Sequence, residues 1–288
     1  MSTRRAASIH ARLLARARER GEEFNLVLAR YAIERFLYRL SVSPAREWFC
    51  LKGALLFELW FGVPHRPTRD ADFLGFKAAD AAKLTATMQE ICTVAVDDGM
   101  VFDSSSITVE EIREDARYGG LRVRILGKLG RARCSVRLDI GYGDPVTPGP
   151  EEIDYPTLLD DLPVPRLLAY PRATVVAEKL EAIVSLGMAN SRMKDYFDLR
   201  ALAREGTLDP GMLADAIAAT FARRQTTLTD ELPLGLSDEF AQDTNKRMQW
   251  KGFLKKNELD ALPLDEVVTE IRGFVAAPLR MAWERKRS

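Results

Sequence analysis

Apolar residues recur at helical spacing from the start of the chain. Residues 7–20 and 24–40 read as two amphipathic helices, the second with Phe24, Leu26, Val27, Tyr31, Ile33, Leu37 and Leu40 along its stripe. Ser41–Val42–Ser43–Pro44 breaks that pattern. Glu47–Leu51 is short, bulky and apolar, which predicts a buried strand, and Gly53–Phe61 predicts a short helix entered directly from it. Gly62–Val63–Pro64 and Pro67 predict a loop, Arg69–Phe76 a strand, and residues 77–92 a helix. Three more strands are predicted at Ile107–Arg113, Leu121–Leu129 and Ala132–Gly141. The last alternates, with Cys134, Val136, Leu138 and Ile140 on one face and Arg133, Ser135, Arg137 and Asp139 on the other.

Residues 143–165 are rich in Pro and Asp and mark a junction. Beyond it the periodicity is almost wholly helical, at 172–187, 193–205, 210–223, 245–256 and 264–285. Mixed elements followed by helices predict an α+β domain over residues 1–165, including the N-terminal helices, and a helical domain over residues 166–288.

Composition narrows the chemistry. Lys plus Arg and Asp plus Glu both number 42, so the formal net charge is zero, which excludes nucleic-acid binding by bulk charge alone. Basic residues are nonetheless clustered. Residues 1–20 hold six arginines against one acid, and residues 121–137 hold six Arg and Lys with no acid. These are either solvated faces or contacts for a phosphate backbone. No apolar run approaches a membrane span, and the Arg-rich N-terminus lacks an apolar signal core. Three widely spaced cysteines form no CxxC pair, which points to a reduced, cytoplasmic protein. With only His10 and His65 in the chain, a His-based metal site or a Ser-His-Asp triad is nearly excluded. Chemistry must fall to carboxylates and lysines.

Four stretches have that chemistry. Lys52–Gly53–Ala54 sits where a strand turns into a helix, either a simple turn or a phosphate seat. In Arg69–Asp70–Ala71–Asp72, residues two apart share a strand face, so two carboxylates stand together. Such a pair is either a charged edge strand or an oxygen site for Mg²⁺ or Mn²⁺. Asp139 lies on the polar face of its strand, as a third carboxylate or as the partner of Arg137 or a neighbouring Arg. Lys179 borders the stripe of Val176, Leu180 and Ile183, either as a surface lysine between Glu178 and Glu181 or as a point charge for a triphosphate. Asp195 and Asp198 share one helix face further on. Two carboxylates on one strand and a third on another suit two-metal phosphoryl transfer. The order of these elements resembles the nucleotidyltransferase fold shared with DNA polymerase beta.

The stretches FCLKGALLFELW (49–60), RPTRDADFLGF (66–76), VRLDIGYGD (136–144) and TVVAEKLEAIVSLGMANSRMKDYFDLRAL (174–202) carry a closer likeness. In that order they resemble the AbiEii-type nucleotidyltransferases, which include toxins of abortive-infection toxin–antitoxin pairs and the mycobacterial Men toxins. The resemblance implies a bilobed molecule with a central cleft. It also implies Mg²⁺-dependent (or Mn²⁺-dependent) transfer of a nucleoside monophosphate from an NTP to RNA, most often the 3′ end of tRNA, and a cognate antitoxin as partner. By position, Asp70 and Asp72 match the metal-binding DxD, with Asp139 in the place of the third carboxylate. Lys179 and Asp195 match catalytic motif positions, and Lys52, Gly53, Ala54, Arg69, Lys179 and Asp198 fall where nucleotide is bound. Lys52–Gly53–Ala54 departs from the family's usual Gly-Gly or Gly-Ser followed by a small or hydroxyl residue, so a hydroxyl contact to phosphate is missing unless Lys52, Thr68 or backbone N–H groups replace it. Two other classes stay open: a nucleotide-binding module without catalysis, and a transferase acting on protein hydroxyls or small molecules.

Overall fold

The computed structural model describes residues 3–62, 65–114 and 118–287. They form two units. One comprises the described residues up to Gly143 together with Glu151–Ala169, and the other Asp144–Pro150 with the described residues from Tyr170 onward.

In the first unit, helices α1 (Thr3–Arg20), α2 (Phe24–Ser41), α3 (Leu55–Phe61) and α4 (Ala81–Thr93) accompany seven strands. These are β1 (Phe49–Lys52), β2 (Asp70–Gly75), β3 (Met100–Glu114), β4 (Tyr118–Leu129), β5 (Ala132–Tyr142), β6 (Glu151–Asp154) and β7 (Arg166–Ala169). Their order in the sheet is β3-β4-β5-β2-β1-β7-β6. β2 therefore lies mid-sheet, antiparallel to β1 and parallel to β5, so the Asp70–Asp72 strand is not an edge.

Several elements depart from the periodicity. Arg46–Trp48 makes a tight helical turn, so β1 begins at Phe49. The helix expected from residue 77 starts at Ala81, because the Asp80 carboxylate caps it by accepting from Lys83 N at 3.0 Å. β3 begins at Met100, seven residues before the predicted start, and a register shift between Asp103 and Thr108 accommodates its polar Asp-Ser-Ser-Ser run. The region after residue 143 is not purely helical: β6 and β7, each of four residues, extend the sheet beyond β1. In the loop expected at Gly62–Pro67, Val63 and Pro64 lie outside the described residues.

Alternation on β2 and β5 buries Ala71, Phe73, Leu138 and Ile140. Helix α2 packs across β5 and β7, and α4 against β3. α2 also carries buried charge. Arg39 forks onto Asp98 at 2.6 and 3.1 Å and donates to the Met100 carbonyl, and Tyr31 donates to the Asp98 carbonyl at 2.6 Å. Breaking such a pair leaves one buried charge alone, at a cost of about 3–5 kcal/mol.

The second unit contains α5 (Arg172–Leu186), α6 (Met193–Glu205), α7 (Pro210–Arg223), α8 (Asp238–Gln242), α9 (Thr244–Lys256) and α10 (Leu264–Arg287). Its core gathers Val176, Leu180, Ile183, Tyr196, Leu199, Ile217, Val268 and Ile271. Trp250 is buried there, its indole N–H donating to the Leu262 carbonyl at 3.0 Å. Residues Asp144–Pro150 are tied to this unit by reciprocal bonds between Thr147 and Thr174 at 3.1 and 2.8 Å. Arg224 adds ion pairs to Asp144, Glu178 and Glu181. No helix among the described residues is long and apolar enough to cross a membrane.

Glu34 on α2 gives this fold a pH signature. It accepts from Leu158 N at 2.6 Å and faces Arg35, yet burial prevails and pushes its carboxyl up to about 7. The folded chain then keeps a proton that the unfolded chain loses near pH 4.5. Stability is therefore expected to fall as pH rises from about 4.5 to 7 and then level off. Denaturant titrations between pH 5 and 8 should show this slope in the wild type and a flatter profile in Glu34→Gln, which keeps the acceptor without the titration.

Candidate active site

The polar side of β2 and β5 brings the acidic residues together. In the parallel pair, Asp70 stands beside Arg137 and Asp72 beside Asp139. Parallel neighbours are about 4.8 Å apart, so Asp72 and Asp139 present adjacent carboxylates. Asp70 and Asp139 each meet a guanidinium. Arg137 forms an ion pair with Asp70. Arg122, across from Asp139 on β4, holds it with two bonds, Nε to Oδ1 at 2.8 Å and Nη2 to Oδ2 at 2.7 Å. Lys52 is the register partner of Asp72 on β1. Of the two partners expected for Asp139, Arg137 or a neighbouring Arg, the one it meets is the neighbouring Arg122, because cross-strand neighbours meet more directly than residues two apart on one strand.

Gly53 shapes the same spot. Its φ is +76°, and a Cβ there would come within 2.0 Å of Asp72 Oδ2. Only glycine allows both the turn and the seat of that carboxylate. Lys52 reaches over the next row of the sheet, its Nζ 3.9 Å from where a Cβ on Gly141 would stand. Ala54 opens α3 without a side-chain cap. The Thr68 hydroxyl is engaged with the Asp70 carbonyl at 3.3 Å. Arg69 points away from this group, its side chain 69% exposed and 3.6 Å from Glu23.

The donor set fits Mg²⁺ or Mn²⁺ in kind: all are oxygens, on one face of a rigid sheet. Among the described residues no three His, Cys, Asp or Glu side chains already form a metal cage. For Asp70, Asp72 and Asp139 to hold an ion together, the arginines must give way.

In the second unit, α5 and α6 bring Lys179, Asp195 and Asp198 together. Lys179 Nζ donates to Asp195 at 3.0 Å and to Asp198 at 2.8 Å. Arg192 Nε donates to the second oxygen of Asp195 at 2.7 Å. The lysine side chain is 12% exposed and the two carboxylates are 1% and 0%, so Lys179 is not a surface lysine. Its neighbours Glu178 and Glu181 are engaged by Arg224 instead. Burial alone would raise the Asp195 carboxyl, but the Lys179 and Arg192 charges outweigh it and hold the group below its usual range.

Arg122 is the site residue that the motifs miss, and Arg137, expected beside Asp139, pairs with Asp70. The sequence shows Arg122 only within a basic stretch, and the partners of both arginines depend on strand register. That stretch is largely neutralised: Arg124 pairs with Glu110 at 2.6 Å and Lys128 with Asp103 at 3.6 Å. On α1, Arg5 and Arg12 are likewise paired with Asp161.

Known proteins resemble this chain in family and fold. The profile of the family described as "Nucleotidyl transferase AbiEii toxin, Type IV TA system" matches residues 35–270. Among solved structures, JHP933 from Helicobacter pylori is similar over 91% of this chain and 95% of its own, with a TM-score of 0.52 at 16% identity. A second H. pylori structure, described as a candidate nucleotidyltransferase, is similar over 91% of this chain and 96% of its own, with a TM-score of 0.47 at 17% identity. No curated protein matches. The family match and the first likeness identify the fold as the α+β nucleotidyltransferase fold.

Three substitutions probe these sites. Gly53→Ala is expected to cost at least about 1 kcal/mol of stability in a denaturant titration and to displace the Asp72 carboxylate. Lys179→Met would leave two buried carboxylates facing each other and cost about 3–5 kcal/mol. Adding Asp198→Asn should recover part of that loss, read as a coupling in a double-mutant cycle.

Proposed function

Since the chain belongs to the AbiEii nucleotidyl transferase toxin family of type IV toxin–antitoxin systems, we propose that it transfers a nucleoside monophosphate from an NTP to the 3′ end of tRNA. The single observation that carries this reading is the acidic face at mid-sheet, Asp70 and Asp72 on β2 beside Asp139 on its parallel neighbour. A cognate antitoxin is the expected protein partner.

Asp70, Asp72 and Asp139 would hold Mg²⁺ or Mn²⁺. Such an ion, when bound, offsets the charge on the phosphate oxygens and favours the acceptor alkoxide. The acceptor 3′-hydroxyl oxygen forms a bond to the α-phosphorus. The bond between that phosphorus and the bridging oxygen to the β-phosphate breaks, and pyrophosphate leaves with the bond's electron pair. The hydroxyl proton passes to a site carboxylate. We assign Lys179 to orienting the triphosphate. The buried pairing of Asp195 and Asp198 with that lysine supports a positioning role for both. Lys52 and the backbone around Gly53 supply positive potential beside Asp72, a substitute for the hydroxyl that Ala54 lacks.

The test is a transfer assay with each α-labelled NTP, Mg²⁺ and total tRNA. Label is expected in tRNA with the wild type, lost with chelator and reduced more than about a hundredfold in Asp72→Asn. Label that survives ribonuclease treatment would instead indicate a protein or small-molecule acceptor. Nucleotide binding with no transfer to any acceptor would mean a module without catalysis.

A further inference from the structure

The acidic face is charge-compensated by the chain itself. Asp70 is paired with Arg137 and Asp139 with Arg122 across neighbouring strands, and Lys52 is the register partner of Asp72. The Arg122 contact is a two-bond fork, the strong geometry for a guanidinium on an oxyanion. Arg137 is engaged by Asp70, but its buried Nε has no hydrogen-bond partner among the described residues. A buried donor without an acceptor is costly, so this guanidinium is under-satisfied by its carboxylate partner.

A bare divalent cation gains little at such a face. To reach Asp70 and Asp139 it must displace two guanidiniums and then sit beside them, like charge against like. A cation that arrives on a triphosphate brings several anionic oxygens, and these can take the guanidiniums over. The fork that fits a carboxylate also fits a phosphate.

We propose that Arg122 and Arg137 are exchangeable counter-ions of the catalytic carboxylates, which make free metal a poor ligand, admit it as the metal–NTP complex, and pass from carboxylate to phosphate as that complex binds. They are thereby binding residues for the triphosphate and select for metal and nucleotide together. The inference rests on reading Asp70, Asp72 and Asp139 as the metal-holding set.

The test uses Mn²⁺, titrated into the full chain and followed by its electron paramagnetic resonance signal, with and without an α,β-methylene NTP analogue. Wild type is expected to bind Mn²⁺ weakly alone and far more tightly with the analogue. Arg137→Gln and Arg122→Gln should each tighten binding of Mn²⁺ alone by at least about tenfold and weaken binding of the Mn²⁺–analogue complex by a similar factor. Arg137→Lys and Arg122→Lys keep the charge without the fork. They should keep Mn²⁺ binding weak and recover complex binding only in part. Folded Gln variants with unchanged or weaker affinity for Mn²⁺ alone would overturn the proposal. Should one Gln variant fail to fold, the other reads the same quantity. Asp72→Asn separates the two levels. If it binds the complex as wild type does, or if wild type does not bind it, the metal-site reading falls and this inference with it. If Asp72→Asn loses the complex while the Gln variants change nothing, only this inference falls.

Discussion

The parallel register of β2 on β5 is the constraint on which the acidic face depends. It sets Asp72 beside Asp139 and Asp70 beside Arg137. A slip of one residue would turn Ala71 and Phe73 outward and bury the aspartates. What prevents the slip is the opposite side of the same strands, where Ala71, Phe73, Leu138 and Ile140 are buried. Apolar burial on one face thus holds like charges together on the other. The repulsion that results is offset locally by Arg137 and Arg122, with Lys52 in register beside Asp72, each delivered from a position fixed by the same sheet.

Much of this was legible in the sequence, for identifiable reasons. The helices of the second unit have long apolar stripes, and α6 and α7 fall at their predicted bounds. The alternation of β5 put Asp139 on the correct face, and the spacing of Asp70 and Asp72 put both on one face. What stayed hidden depends on pairing rather than periodicity. β6 and β7 are four residues each in a Pro-rich stretch, too short to show a period. The first seven residues of β3 lie outside the predicted strand, because Asp103 and its serines form local bonds that interrupt the alternation. Arg122 as the partner of Asp139, seventeen positions away, needs a known register. So does the burial of Lys179 against Asp195 and Asp198, which joins two helices.

The two charged groups differ in their surroundings. On the sheet, Arg137 and Arg122 have side chains 39% and 24% exposed, and water can solvate either ion if the pair separates. Around Lys179 the carboxylates are out of water, and separation would strand them. One set of ion pairs is built to be exchanged, while the other fixes where a single lysine sits. The same residue types therefore serve opposite mechanical ends.

The chain's path through its two units has a consequence for synthesis and for dissection. It leaves the first unit at Asp144, returns at Glu151 and leaves again at Tyr170. A nascent chain cannot complete the sheet until Ala169 has emerged, since β7 pairs with β1 and β6 with β7. By then Asp144–Pro150 is already outside the ribosome, whereas its anchors Thr174 and Arg224 are still to come. That seven-residue segment belongs to a body not yet made. For the same reason no single break in the gene separates the halves: a split at residue 143 or 150 strips β6 and β7 from the sheet, and one at 169 strips Thr147 from α5.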